Sequence, residues 1–352
     1  MRPAAKLALA PILVGALLLA ACEDSSEVTT TEEPRDPTAL ELLYQYRSTL
    51  YTRTIAADAS PAPDSGEELT TVDGIAAEAA PGPGHVAVLG AGSRNAAPTL
   101  TLFDPDEGDS TEIGPGLHPT WNATGDRLAY LRPADPDRCA AERCPDGGEV
   151  VALDPAVPDD AEVVLDTGTW VPELWAGEHL VVADTTAPDE ITVVASDGEV
   201  STPDMGRPMA ASPDGEWLLV ARSDTEPEGF VRFTDGEPQG DLAAIDKGEL
   251  ETFTQVRWSP ASDRVAAVLK GGTDAQVVTM SPDDPTPEPL AGSEGAVGRL
   301  MWGPGGDALA FSRLGEDEAG TPALQATFCV LDAGDCSVVL QWQQGVTMLR
   351  LQ

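Results

Sequence analysis

The chain has 352 residues, and its 60 Asp and Glu outnumber its 20 Lys and Arg to give a formal net charge of −40. A surface of that sign repels nucleic acid and anionic headgroups, so both are excluded as ligands. General adaptation to a salty exterior is the first account of the acidity, because the acids run from end to end; a cation or a basic partner is the second. The 34 Gly and 31 Pro suit short strands separated by many turns.

The N-terminus has the three-part layout of an export signal. Arg2 and Lys6 precede an apolar run from Leu7 to Leu19, too short to span a bilayer comfortably. It closes on Leu19-Ala20-Ala21-Cys22, which resembles the lipobox of bacterial lipoproteins. That resemblance implies cleavage after residue 21 and diacylglycerol on the thiol of Cys22, later joined by further acylation of palmitate type. Residues 22–37 are rich in Glu, Ser and Thr, a composition that buries no core and suits a flexible acidic tether. A single domain is expected over 38–352. Within it, 37–50 reads as a short helix begun by Asp36, with Leu40, Leu43 and Tyr44 on one face.

From residue 74 onward one pattern recurs: a short apolar strand often ending in Trp, a turn of Pro, Gly and Asp, then a second apolar strand. Trp121 to Tyr130, Ala211 to Val220, Trp258 to Ala267 and Trp302 to Phe311 are the clear copies; Ala80 to Val88 and Trp175 to Val182 are fainter. The first apolar residues after the turn are 86, 128, 180, 217, 265 and 309, a mean spacing of about 45 residues. That is the length of four short strands with their turns. In four copies an Asp-bearing hairpin turn follows 17 or 18 residues later, at Asp104, Asp197, Asp235 and Asp283.

The turn, with Pro213, Asp214 and Gly215 in its fullest form and Asp263 and Asp307 in others, resembles the TolB-type, WD40-like β-propeller repeat. The resemblance covers roughly 74–340. It implies radial four-stranded antiparallel blades, with the repeated Trp121, Trp258 and Trp302 packed between neighbours. TolB proteins work in an envelope-spanning complex, but only their propeller carries over, since this chain has no room for their N-terminal α/β domain. Gly345 to Arg350 resembles the strand that opens each repeat and needs partners elsewhere, for which Tyr51 to Ile55 and Leu69 to Val72 are candidates. An all-β propeller of seven blades follows, the last closed by strands from both ends; six blades with a decorative C-terminal strand is the alternative.

Chemistry is harder to find. Cys139 with Cys144 and Cys329 with Cys336 are close pairs lacking metal-ligand spacing, and on the oxidising side of a membrane they read as disulfides. His85 and His179 hold equivalent turn positions, and His118 has no partner motif. Ser293 lies in Ala291-Gly292-Ser293-Glu294-Gly295, which lacks the first glycine of a nucleophile elbow. Asp104, Asp106 and Asp109 are weak calcium candidates whose order does not match a calcium loop. Neither a metal nor another cofactor is therefore expected. The expectation is a non-enzymatic binding or scaffold module, lipid-anchored on the extracytoplasmic face, for a protein or envelope ligand. A small-ligand or sugar-binding sensor or enzyme using the propeller funnel is the alternative.

Overall fold

Alternation explains the blades before their geometry does. In Val265–Gly271, Val265, Ala267 and Leu269 enter one core with Phe230 and Trp258, while Ala266 and Val268 enter another with Leu300 and Trp302. A strand that feeds a different core from each face reads as a continuous apolar run. Every second strand of a blade is of this kind, so the protein's core is a set of seams between blades.

The computed structural model describes residues 40–55, 66–81, 84–90, 96–139, 144–221, 228–247, 251–272, 274–316, 319–331, 335–342 and 346–352. Among them are seven four-stranded antiparallel sheets. Blades 1 to 6 run in chain order over 74–115, 117–168, 170–201, 207–244, 251–289 and 296–342. Blade 7 joins Val346–Leu351 to Leu40–Tyr46, Thr49–Ile55 and Glu67–Thr71. Seven blades replace the six-bladed alternative. The closing blade needs three N-terminal strands, so the expected helix over 37–50 is corrected: its described part is a strand and the start of another. Leu42, Leu43, Tyr44 and Gln45 are all buried, so two-sided burial erased the period of two and left Leu40, Leu43 and Tyr44 at helical spacing.

The lead strands of the blades are Gly74–Ala79, Leu117–Trp121, Trp170–Ala176, Arg207–Ala211, Glu251–Trp258, Ala296–Trp302 and Val346–Leu351. Each is an edge strand of its sheet, and each touches the lead strands of both neighbouring blades. The seven therefore form a closed ring around a central channel, and closure removes the exposed inner edges.

Indoles stitch the ring. Nε1 of Trp121 donates to the Glu78 carbonyl at 3.4 Å, Trp175 to that of Thr120 at 3.1 Å, and Trp302 to that of Arg257 at 2.9 Å. Each acceptor is the next-to-last residue of the preceding lead strand. Trp258 is buried edge-on against Phe230 with its Nε1 unpartnered.

The turns that follow use one device with two spacings. Ser212 Oγ donates to Asp214 at 2.5 Å, and Ser259 Oγ to Asp263 at 2.5 Å. Asn122 Nδ2 donates to Asp126 at 2.7 Å. The same Ser or Asn oxygen accepts the backbone N–H five residues on, at Trp217, Arg264 and Arg127. In blade 6 Gly303 stands in the serine's place, and Asp307 contributes its carbonyl, which accepts from Leu331 N–H at 2.9 Å. Pro213 stands between Ser212 and Asp214, whose own N–H donates to Ser262 Oγ of the adjoining turn at 3.1 Å.

Cys139 and Cys144 are disulfide-bonded in the enlarged loop of blade 2, and Cys329 and Cys336 face each other across the last hairpin of blade 6. Among the described residues no helix is long and apolar enough to cross a membrane. The signal, Cys22 and the tether lie outside the described residues.

Candidate functional site

Charge is distributed against the protein's own trend at the channel. The lead strands carry Arg207, Arg257, Arg299 and Arg350 against Glu78, Glu173 and Glu251, in a chain that overall has three acids for each base. Arg207 of blade 4 pairs with Glu173 of blade 3 at 3.6 Å. Arg350 is buried beside blade 1, where Nη1 donates to the Gly84 carbonyl at 2.8 Å.

Of the remaining four, Glu78, Arg257 and Arg299 act on one another electrostatically. Glu78 of blade 1 is half-buried, and the positive charges of Arg257 in blade 5 and Arg299 in blade 6 both act on it. The backbone N–H of Trp121 in blade 2 also acts to lower the pKa of that carboxyl. Desolvation dominates, and against the pull of those partners it pushes the Glu78 carboxyl up to about 7. Arg299 is held below its ordinary value, first by desolvation and then by repulsion from Arg257, with Glu78 opposing both. A carboxyl that exchanges its proton near neutrality, set opposite two guanidinium groups, can bind an oxyanion and give or take a proton.

Backbone strain marks the same place. All seven lead strands are bulged against their partners. In blades 2 and 6 the bulge skips two residues, and each contains a left-handed side-chain-bearing residue: His118 at φ 50° and Arg299 at φ 45°. Such conformations cost about 1–2 kcal/mol each and persist where surrounding structure enforces them.

The residues singled out from sequence lie elsewhere. Asp104 Oδ1 caps its own turn, accepting from the N–H groups of Asp106 and Glu107 at 2.8 and 3.2 Å, and Oδ2 lies 3.9 Å from His85 Nε2. Asp104 and Asp106 also act on Arg350, so a guanidinium already supplies the cation in their neighbourhood. Asp109 is exposed, and among the described residues no three His, Cys, Asp or Glu are grouped to hold a metal. Ser293 is fully buried; its Oγ donates to the Leu290 carbonyl at 2.6 Å and accepts from Val277 N–H at 2.9 Å, fastening the connection that follows blade 5 onto that blade. His179 packs edge-on against Phe233.

Sequence reasoning missed Glu78, Arg257 and Arg299 as a site because they are up to 221 residues apart and share no motif. One signal was available. Glu78 and Arg257 both fall one residue before the end of a lead strand, at matching register opposite Ala87 and Ala266.

No protein-family profile and no curated protein sequence matches the chain. Solved structures do. An oligogalacturonate lyase from Vibrio parahaemolyticus is similar at 13% identity, with 85% of each chain covered and a TM-score of 0.54. A periplasmic gluconolactonase from Pseudomonas aeruginosa has 13% identity over 89% of this chain and 98% of that one, at 0.52. TolB from Acinetobacter baumannii has 11% identity over 91% and 69%, at 0.50. These identities establish a shared propeller fold.

They also correct the expectation of a non-enzymatic module. That expectation rested on the lack of a catalytic motif, yet the neighbours include a lyase and a lactonase on the same scaffold. Acid–base groups on a propeller are assembled from different blades, so a search for local motifs misses them.

Proposed function

We propose that this protein is a lipid-anchored, extracytoplasmic propeller that takes a small oxyanion, of the sugar-acid class, into its central channel, where Glu78 is the acid–base group. The carrying observation is the opposition of Arg257 and Arg299 to Glu78 within lead strands whose charge balance departs from the rest of the chain. Two guanidinium groups that repel each other are drawn together by an anion between them. The acidic exterior repels that anion at long range and screens poorly at low salt, so binding strengthens as ionic strength rises to physiological values. The structural neighbours named for a gluconolactone and an oligogalacturonate make sugar acids the first probes.

The test is calorimetric titration of the mature protein with gluconate, galacturonate and sulfate at pH 6.5 in 150 mM salt. Binding of at least one, weakened tenfold or more by Arg257→Ala, supports the reading. Failure of all three to bind overturns it. The anchor is tested by mass spectrometry of the membrane-extracted N-terminus; an unmodified Cys22 overturns that part alone.

A protein partner is the second reading. It is favoured by Ile75 and Val297, which sit second in the lead strands of blades 1 and 6, at the same end of the channel, and are 68% and 47% exposed.

A further inference from the structure

We infer that the seam between blades 2 and 3 holds a second binding site, for an apolar α-amino acid in its zwitterionic form. The site exists because blade 3 lacks the turn that its neighbours carry. Its first two strands join through Gly177 and Glu178 alone, with Ala176 paired to His179. The turns on either side run from Asn122 to Arg127 and from Ser212 to Trp217, each closed by a backbone hydrogen bond. Turns of full length meet across their seams. Asp214 N–H donates to Ser262 Oγ between blades 4 and 5, and a Cβ on Gly125 of blade 2 would stand 2.8 Å from the Pro81 carbonyl of blade 1. Between blades 2 and 3 there is instead a cavity of about 400 Å³, partly open to solvent, lined by Arg127 from one turn and Glu178 from the other.

The cavity presents two opposite charges beside an apolar wall. Trp175 is buried and its Nε1 is tied to the Thr120 carbonyl, so its ring is fixed. The Arg127 guanidinium lies over that ring, 5.4 Å from the centroid. Its ion-pair partner Glu162, on the outer strand of blade 2, stands 3.9 Å away, beyond hydrogen-bond distance. An exposed pair of that length contributes little, so both partners are free to be shared with a ligand. A planar guanidinium whose face rests on an indole offers its N–H edge to a carboxylate. With a ligand carboxylate on Arg127 and a ligand ammonium on Glu162, one carbon apart, the four charges alternate in sign. Val163, Val164, Leu180 and Val194 line the same cavity and receive an apolar side chain. A zwitterion has no net charge, so the acidic surface that repels a free anion does not repel it.

The experiment is calorimetric titration of the protein with L-leucine, glycine, leucinamide and N-acetylleucine at pH 7 in 150 mM salt. Leucine is expected to bind, and each of the other three at least tenfold more weakly, because each lacks one of the three contacts. Arg127→Met keeps an apolar stem over Trp175 and removes the charged fork; it is expected to weaken leucine at least tenfold. Failure of leucine to bind at millimolar concentration overturns the inference. So does equal binding of leucinamide or N-acetylleucine, or a leucine affinity unchanged in Arg127→Met. The channel reading is tested apart from this one: Arg257→Ala is expected to leave leucine binding unchanged, and loss of leucine binding in that variant would move the amino acid out of the seam.

Discussion

The turns after the lead strands and the bulges of blades 2 and 6 both place backbone in the left-handed region, and they fill it differently. At the turns after the lead strands the position is held by Gly125, Gly215 and Gly306, with Ser262 as the exception. At the bulges it is held by His118 and Arg299. Glycine adopts that conformation without steric cost, so a turn whose task is to reverse the chain uses it. An arginine there keeps its strain, and what it keeps with it is a guanidinium over the channel. Where the backbone is the product, glycine suffices; where a side chain must be aimed, the strain remains.

Substitutions at the two regions should therefore move stability and binding independently. The largest effect is expected for Gly215→Ala. Its Cβ would lie 2.6 Å from the Gly177 N and 2.8 Å from the Gly177 Cα of the neighbouring turn, at φ 74°. A loss of about 2–4 kcal/mol in denaturant unfolding is expected, with gluconate affinity unchanged below the transition. A stable Gly215→Ala protein would show that these turns are not the seam they look like.

Next is the pH profile of stability. The folded Glu78 pKa of about 7 lies above the ordinary 4.5. The folded state therefore holds a proton that the unfolded chain has lost between those values. Stability contributed this way is full below pH 4.5 and falls as pH rises towards 7, with a slope of at most about 1.4 kcal/mol per pH unit. Comparing wild type with Glu78→Gln isolates it; identical profiles would remove Glu78 from the desolvated site.

Arg299→Gly relieves φ 45° and a desolvated, repelled guanidinium together. Unfolding should show stability raised by about 1 kcal/mol, while titration shows anion affinity reduced at least tenfold. Loss of both would mean that Arg299 is a structural residue. The smallest change is Ser262→Gly, which relieves φ 60° but forfeits the hydrogen bond from Asp214 N–H. A shift within about 0.5 kcal/mol, with no effect on binding, is expected.

The same division explains what could be read in advance. The turns were legible because Ser212-Pro213-Asp214-Gly215 closes its hydrogen bonds within five residues, so each copy carries its own signature. The seven-blade count was legible at one remove, since Gly345 to Arg350 resembles a lead strand that lacks its blade. Leu40 to Tyr46 was misread because a strand sandwiched between two blades shows no alternation. Cys329 and Cys336 were legible as a pair because seven residues fit one hairpin. The channel site was not, since Glu78, Arg257 and Arg299 meet only after the ring closes, and a lone charge in a strand looks like any solvated one. The register against the second strands sets Glu78 and Arg257 level, while Arg299 stands in a bulge outside the pairing.

Blade 7 gives the molecule an order of events. Its lead strand pairs Met348 with Tyr44 and Leu43 with Arg350, contacts that bridge almost the whole chain. Loop closure over that distance is entropically the most expensive step, while the hairpins of blades 1 to 6 are local. Folding therefore ends as a clasp does, with the six hairpin-built blades waiting on one strand from the far end. Leu40–Tyr46 can pair with Thr49–Ile55 at once, but its other edge stays open until Val346–Leu351 arrives. The rate at which an open arc becomes a closed ring is then set by the arrival of Val346–Leu351.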